Sequence, residues 1–168
     1  MIAGCCTLNG CSGHHAGRLL LERLYRQAVG TELPRIQLSS RGKPYFEESP
    51  WFFSISHTSR HAFCVLSHAP VGIDAEELDR PVRLSLAERI LSPAELPRFS
   101  QADDPHRAFL ALWVLKEAAA KCSGLGLTGF PNKTDFSPDD PRVREWNGCL
   151  VAIVTENGTE EQVTCYDF

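Results

Sequence analysis

The sequence of this 168-residue chain predicts an α+β fold. Two stretches have the features of helices: leucines recur at spacings of three and four near the N-terminus, and a nearly continuous apolar run follows an Asp-Pro pair in the middle of the chain. Between and after them lie short apolar or alternating segments that are separated by Gly and Pro turns, which is typical of strands.

The first helix is predicted over roughly residues 14–29. Leu20, Leu21 and Leu24 fall on one face of such a helix, and we expect this face to pack against the core. Gly30 marks the end of the helix, because glycine readily adopts the left-handed conformation that commonly closes one.

Extended segments follow the first helix. Their expected positions are a short segment at residues 36–38, a Gly-Pro turn at 41–45, and strands at 51–56, 61–67 and 71–76. The last of these, VGIDAE, alternates strictly. Because side chains of a strand point to its two faces in turn, Gly72, Asp74 and Glu76 should share one face.

Helices are predicted again after residue 84. Two capping boxes, 85–88 (SLAE) and 92–95 (SPAE), indicate two short helices. Asp104-Pro105 begins a long helix that should end near Cys122, before Ser123-Gly124.

The tail of the chain is predicted to form a β-hairpin. Its strands are expected at residues 150–154 and 162–165, with the turn at Asn157-Gly158, because Asn-Gly favours the tight turn between antiparallel strands.

Composition argues against several classes of function. The 21 acidic residues outnumber the 17 basic ones, so the chain lacks the bulk positive charge with which proteins bind DNA or RNA. No apolar run approaches the roughly 20 residues of a membrane span, and the N-terminus lacks the features of a signal peptide. Seven cysteines are an odd and widely spread set, which argues against a disulfide framework. We therefore expect a cytoplasmic protein with reduced thiols.

Asp74 and Glu76 are the first candidate functional residues. Two carboxylates on one face of a strand repel each other unless a cation lies between them, and Mg²⁺ prefers such oxygen ligands. Gly72 on the same face leaves room for a ligand. The alternative is an ordinary solvated edge strand.

Glu117 and Lys121 are the second candidate pair. They follow seven consecutive apolar residues in the long helix, and their spacing of four places them on one face. A charge beside such a buried run is costly unless it is paired or binds a metal. The alternative is an exposed Glu-Lys pair on the helix surface.

Cysteine and histidine side chains are also concentrated near the N-terminus, at Cys5, Cys6, Cys11, His14 and His15. Thiolate and imidazole groups are zinc ligands, but this spacing matches no common zinc site. Reduced cysteines beside the start of a helix are the favoured interpretation.

Four ordered segments resemble the 4'-phosphopantetheinyl transferases of the surfactin-synthetase-activating type. They are residues 42–45 (GKPY), 53–58 (FSISHT), 71–76 (VGIDAE) and 113–121 (WVLKEAAAK). The resemblance implies a fold of two pseudo-equivalent sheet-and-helix halves with coenzyme A between them. The halves are expected at residues 1–69, which is a shortened half, and 70–168, which carries the metal. A monomer is expected.

The resemblance also implies the activity, which is Mg²⁺-dependent transfer of 4'-phosphopantetheine from coenzyme A to a serine of an acyl or peptidyl carrier protein. The implied metal ligands are Asp74, Glu76 and Glu117. The implied coenzyme A contacts are Lys43, Ser56, His57 and Lys121, the last at the pyrophosphate. Glu117 and Lys121 are the expected catalytic residues: Glu117 removes the proton of the carrier serine, directly or through a bound water, and Lys121 neutralises phosphate charge.

Several alternatives remain open at the level of the sequence. His57 is equally well interpreted as a hydrogen-bonded histidine at a strand end. Family members usually place basic residues before the first helix at the 3'-phosphate of coenzyme A, and His14, His15 and Arg18 are candidates to replace them. The alternative functions are a non-catalytic binding module and a Mg²⁺-dependent phosphohydrolase.

Overall fold

The computed structural model of the chain describes residues 1–126, 134–156 and 163–168. The strands are β1 (Ile2–Thr7), β2 (Ile36–Leu38), β3 (Pro44–Phe46), β4 (Phe52–His57), β5 (His61–Ser67), β6 (Val71–Glu77), β7 (Val143–Trp146), β8 (Cys149–Thr155) and β9 (Thr164–Asp167). The helices are α1 (Gly13–Val29), α2 (Ala87–Ile90), α3 (Glu95–Ser100) and α4 (Pro105–Ser123), with a 3₁₀ turn at Leu84–Leu86. This α+β content confirms the predicted fold class.

The first sheet has the strand order β4-β5-β1-β9, and helix α1 packs on one of its faces. Leu20, Leu21 and Leu24 of α1 are fully buried against Cys64 and Leu66 of β5, as the leucine spacing predicted. Strand β1 was not predicted from the sequence, because its Ala and Gly residues carry little strand propensity. Its antiparallel pairing with the predicted strand β5 nevertheless places it inside the sheet.

The second sheet has the order β6-β8-β7 and is covered by α4. Gly72 lies directly under this helix: a Cβ atom there would be 1.9 Å from the carbonyl oxygen of Ala118. Val71 and Ile73 point the other way, into an apolar cluster shared with Phe63 and Val65 of the first sheet. The two sheets thus pack together on the faces turned away from their helices.

Both long helices end where the sequence predicted, and α4 also begins there. Helix α1 ends at Gly30, with φ of 78°, and α4 ends at Gly124, with φ of 69°. The Asp104 carboxylate accepts a hydrogen bond from the Arg107 N–H at the start of α4. These caps provide hydrogen-bond partners for backbone groups at the helix ends that have none within the helix.

The short helices show that only one capping box forms. Ser92 and Glu95 exchange the reciprocal hydrogen bonds of such a box before α3. No side-chain cap precedes α2, so the box expected at 85–88 is wrong. Glu95 also forms a fully buried salt bridge of 2.8 Å with Lys116, which ties α3 to α4.

The predicted tail hairpin is wrong. Strand β8 pairs with β7 through a turn at Asn147-Gly148, whose φ angles are 49° and 73°, and these are the left-handed angles that a tight hairpin requires. Strand β9 instead pairs in parallel with β1 of the first sheet. Residues beyond the proposed division at 69/70 therefore complete the sheet of the first half. The Asn157-Gly158 turn lies outside the described residues.

Cysteine chemistry adds no further constraint on the fold. All seven cysteines are free thiols. Among the described residues, no three His, Cys, Asp or Glu side chains lie close enough together to hold a metal ion. This applies also to the cysteines and histidines near the N-terminus. None of the helices in the described ranges has both the length and the apolar character that a membrane span needs.

Candidate active site

The packing of α4 on β6 brings together the two candidate pairs, which are Asp74 with Glu76 and Glu117 with Lys121. Because Gly72 allows the helix backbone to touch the strand, Lys121 reaches Asp74 across this contact. The Lys121 Nζ atom lies 2.7 Å from Asp74 Oδ1. Glu117 lies one turn earlier on the same helix face, so its charge interacts with those of Asp74 and Lys121.

Strands β4 and β6 meet edge to edge at this point, and two serines join them. The Ser54 hydroxyl accepts a hydrogen bond from the backbone N–H of Ile73 at 3.1 Å. The Ser56 hydroxyl donates to Asp74 Oδ1 at 2.8 Å and lies 3.1 Å from Lys121 Nζ. Ser56 was predicted to contact coenzyme A, and the structure places its hydroxyl on the Asp74 carboxylate.

Glu76 is held by two partners that were not predicted. The Arg80 guanidinium forms a salt bridge with Glu76 Oε1, and the Trp113 indole N–H donates to the same oxygen at 3.1 Å. Burial raises the pKa of Glu76, and the charge of Asp74 raises it further, while Arg80 acts in the opposite direction. The repulsion between Asp74 and Glu76 that the alternating strand predicted is therefore present.

Glu117 is the least compensated acid of the site. Its carboxylate accepts no hydrogen bond from any residue within the described ranges. The pKa of Glu117 is raised from 4.5 to about 7: burial is the largest cause, the charges of Asp74 and Glu76 also raise it, and Lys121 acts in the opposite direction. Three carboxylates thus interact at one place, and a further positive charge there would stabilise them.

This donor set suits a divalent cation that prefers oxygen. Asp74, Glu76 and Glu117 supply carboxylate oxygens, and these three carboxylates face two cations, Lys121 and Arg80. As the described side chains stand, they do not form a complete metal-binding group. Lys121 and Arg80 are instead salt-bridged to Asp74 and Glu76. The chemistry of the residues fits Mg²⁺, and binding requires these salt bridges to rearrange.

A cleft of about 720 Å³ opens beside the carboxylates, between α1 and α4. Its titratable lining consists of His14, Arg18, Arg41, Lys43, His57, Glu117 and Lys121. The cations come from α1, from the turn before β3 and from α4. A chain with an overall charge of −4 therefore concentrates positive charge in one concave site, which suits a ligand with several phosphates. His15, a candidate for the 3'-phosphate, does not line the cleft, whereas His14 and Arg18 do.

Lys43 lies in the wall of this cleft, but its ammonium is engaged elsewhere. Nζ donates to the carbonyl oxygen of Cys122 at 2.7 Å, at the C-terminal end of α4. Burial lowers the pKa of Lys43. This hydrogen bond uses one of the three N–H groups of the Lys43 ammonium.

His57 borders the cleft at the end of β4, where α1 approaches closely. A Cβ atom on Gly13 would lie 2.5 Å from His57 Cγ, and one on Gly17 would lie 2.5 Å from Ile55 Cγ2. Two glycines four residues apart therefore let the helix contact the strand and fix the position of the exposed His57 ring. The pattern GHHAG at 13–17 was the sequence signal for this contact.

The other residues that the sequence analysis missed are Arg41, Arg80 and Trp113. Trp113 lies four residues before Glu117, on the same face of α4, and this spacing was a usable signal. Arg80 follows Glu76 by four residues, in the turn after β6. For Arg41 the only signal was its place in the Gly-Pro turn.

Fold and site together define a class: an α+β protein with two sheets, each covered by a helix, and a cleft that is lined mainly by cations and lies beside three interacting carboxylates. Comparison with known proteins agrees with this description. Residues 70–158 match the 4'-phosphopantetheinyl transferase superfamily. The chain belongs to this superfamily.

Individual relatives support the same assignment. A 4'-phosphopantetheinyl transferase of Bacillus subtilis is 33% identical over 118 residues, which cover 67% of this chain and 52% of that protein. The 4'-phosphopantetheinyl transferase Sfp of Bacillus subtilis strain 168 is 33% identical, over 56% of this chain and 43% of Sfp. Enterobactin synthase component D of Escherichia coli O157:H7 is 32% identical, over 62% and 48% respectively. The chain matches about half the length of these relatives.

Proposed function

We propose that this protein transfers 4'-phosphopantetheine from coenzyme A to a serine of an acyl or peptidyl carrier protein, with Mg²⁺ as its metal. One observation carries the proposal: the charges of Asp74, Glu76 and Glu117 interact beside Lys121, and Glu117 and Lys121 line a cleft whose other charged residues are cations. The names of the relatives, most of which are 4'-phosphopantetheinyl transferases, support the same reaction.

Coenzyme A would bind in the cleft through its phosphates. Lys121, which lines the cleft and contacts Asp74, is assigned to the pyrophosphate. Arg18 and His14, one turn apart on α1, are assigned together with His57 to the 3'-phosphate.

Asp74, Glu76 and Glu117 would hold the magnesium ion. When bound, Mg²⁺ neutralises charge on the pyrophosphate and on the departing 3',5'-ADP. Ser56 and Trp113 orient two of these ligands, because they donate hydrogen bonds to Asp74 and Glu76.

The chain itself supplies the proton acceptor. In the proposed step the carrier serine oxygen attacks the β-phosphorus of coenzyme A, the bond from that phosphorus to the 3',5'-ADP oxygen breaks, and the serine proton passes to Glu117. Glu117 accepts no hydrogen bond from the described residues, so its carboxylate oxygens are available to the serine proton, directly or through a bound water. Lys121 offsets charge on the leaving group.

A transfer assay tests the proposal. The protein is incubated with coenzyme A, Mg²⁺ and a panel of apo carrier proteins, and each carrier is weighed by mass spectrometry. A carrier that gains the mass of the arm supports transfer and identifies the pathway. Release of phosphopantetheine without any carrier supports the phosphohydrolase instead. Coenzyme A binding without turnover supports the non-catalytic binding module.

The remaining expectations belong to the same proposal. We place the protein in the cytoplasm as a monomer that binds neither nucleic acid nor membranes. The free thiols and the negative net charge support this placement.

A further inference from the structure

The carboxylate of Asp74 is already engaged by two groups of the chain. Its Oδ1 atom accepts hydrogen bonds from the Ser56 hydroxyl at 2.8 Å and from the Lys121 ammonium at 2.7 Å. The Asp74 side chain is only 8% exposed, so it needs a nearby positive charge to offset the cost of burial. Lys121 provides that charge.

The Lys121 ammonium has no donor to spare in this arrangement. Besides Asp74, it donates to the Ser56 hydroxyl at 3.1 Å and, more weakly, to the carbonyl oxygen of Ile55 at 3.5 Å. An ammonium has three N–H groups, and all three are used. A phosphate oxygen in the cleft can bind Lys121 only if one of these contacts is given up.

Lys121 is also able to move. Its side chain is 31% exposed and lines the cleft, and its four-carbon stem is flexible. By contrast, the buried Lys116 on the same helix is fixed by its salt bridge with Glu95. Lys121 therefore stands between two binding partners, the carboxylate on one side and the ligand cleft on the other.

We propose that Lys121 is an exchangeable internal counter-ion of Asp74: a divalent cation displaces the ammonium from Asp74, and the released ammonium binds phosphate in the cleft. The inference rests on the proposed function, since it assumes that Asp74 is a metal ligand and that the cleft takes coenzyme A. Metal and coenzyme A then strengthen each other's binding, because each removes a competitor of the other. This coupling is reciprocal by thermodynamic necessity.

Binding of Mn²⁺ to the full chain, followed by electron paramagnetic resonance without coenzyme A, tests the exchange. Lys121→Met removes the charge and keeps an apolar stem, whereas Lys121→Arg keeps the charge. Arg107→Gln is the matched control, because it removes one positive charge from the same helix, where Arg107 contacts Glu145 and not the carboxylate site. We expect Lys121→Met to bind Mn²⁺ more tightly than the wild type by roughly 5- to 150-fold, the usual range of coupling between two sites. Lys121→Arg and Arg107→Gln should stay close to the wild type.

A second measurement needs no variant. Calorimetry gives the affinity of the wild-type chain for coenzyme A with and without saturating Mg²⁺, and Mg²⁺ should raise it. In Lys121→Met this enhancement should shrink, since no ammonium remains to be released.

Two results would overturn the exchange and leave the metal site standing. The first is an unchanged Mn²⁺ affinity in a Lys121→Met protein that has the wild-type circular dichroism spectrum. The second is an affinity of the wild type for coenzyme A that does not change when Mg²⁺ is added. If neither wild type nor Lys121→Met binds Mn²⁺, with or without coenzyme A, the metal site itself is absent and the proposed function fails too.

Discussion

Gly72 and Ala118 are in contact through backbone alone: a Cβ atom on Gly72 would lie 1.9 Å from the Ala118 carbonyl oxygen and 2.5 Å from the Cys122 nitrogen. No flexible side chain is present that could move aside. This contact sets the distance between β6 and α4, and thus between Asp74 and the pair of Glu117 and Lys121.

Replacement of Gly72 by alanine should therefore separate the helix from the strand. We expect Gly72→Ala to cost about 1–3 kcal/mol in the free energy of unfolding, as overpacking typically does, and to weaken Mn²⁺ binding. Gly4→Ala is the matched control in the other sheet, because its Cβ meets only the flexible side chains of Leu20 and Leu24 at 3.1 Å. Full metal binding in Gly72→Ala would show that this contact does not position the carboxylates.

Ser56 offers a test of how Asp74 is oriented. Loss of a hydrogen-bonding partner of a metal ligand typically lowers metal affinity by about 10- to 100-fold, and we expect this of Ser56→Ala in Mn²⁺ titrations. The KM for coenzyme A at saturating metal should change little. Ser54→Ala is the control, since Ser54 binds the backbone of Ile73 and not Asp74. A raised KM with unchanged Mn²⁺ affinity would instead favour the direct contact with coenzyme A that the family resemblance implies.

Glu117 should make stability depend on pH. Its pKa is raised from 4.5 to about 7 in the folded chain, so the unfolded chain loses the proton first as pH rises. The stabilising effect of the protonated carboxyl is fully present below pH 4.5 and is lost as pH rises through 7. Without added divalent cation, Glu117→Gln should have a higher Tm than the wild type at about pH 8 and a similar Tm at about pH 4.

The same variant provides the converse measurement. Mg²⁺ should raise the Tm of the wild type at the higher pH, because it supplies the missing positive charge, and should raise that of Glu117→Gln less. Equal Tm values of the two proteins at every pH would mean that the folded chain does not destabilise the charged form of Glu117.

Gly13 should act on coenzyme A through His57. An alanine at this position would place Cβ 2.5 Å from His57 Cγ, so the ring must move. We expect Gly13→Ala to raise the KM for coenzyme A with little change in kcat. Both substitutions should remove the same interaction, that of the His57 ring with coenzyme A. The KM of the double variant Gly13→Ala/His57→Ala should therefore be no higher than that of His57→Ala alone. Additive effects would mean that Gly13 acts by another route.

Arg18 is assigned to the 3'-phosphate, and dephospho-coenzyme A, which lacks that group, tests the assignment. Since a hydrogen bond to a charged group contributes about 1.5–3 kcal/mol, Arg18→Ala should raise the KM for coenzyme A by roughly tenfold or more and leave that for dephospho-coenzyme A nearly unchanged. Arg26→Ala, an exposed arginine of the same helix that does not line the cleft, is the control. An equal loss with both substrates would contradict the assignment.

The parts of the fold that were predicted correctly are those with local signals. Gly30 and Gly124 end their helices because each position requires a left-handed backbone, and Asp104 begins α4 because its carboxylate accepts a neighbouring N–H. The predicted tail hairpin was wrong because the C-terminal part of the chain contains two Asn-Gly pairs, at 147–148 and 157–158, and local turn chemistry does not identify which strands will pair.

In the candidate site, too, the local relationships could be predicted from the sequence and the long-range contact could not. The shared face of Asp74 and Glu76 and the spacing of Glu117 and Lys121 follow from the period of a strand and of a helix. The salt bridge between Asp74 and Lys121 does not, because it joins residues 47 positions apart. Such contacts depend on how close two backbones come, and here one glycine decides that distance.

The parallel pairing of β9 with β1 has a consequence for folding. Ile2 lies opposite Thr164, so two neighbouring strands of the first sheet are far apart in the sequence. A pairing of this sequence separation forms slowly, because most of the chain must be closed into a loop before it yields any stabilising contact. During synthesis β1 consequently lacks its neighbour β9 until residues 164–167 have left the ribosome, and a strand edge without its partner favours association with other chains.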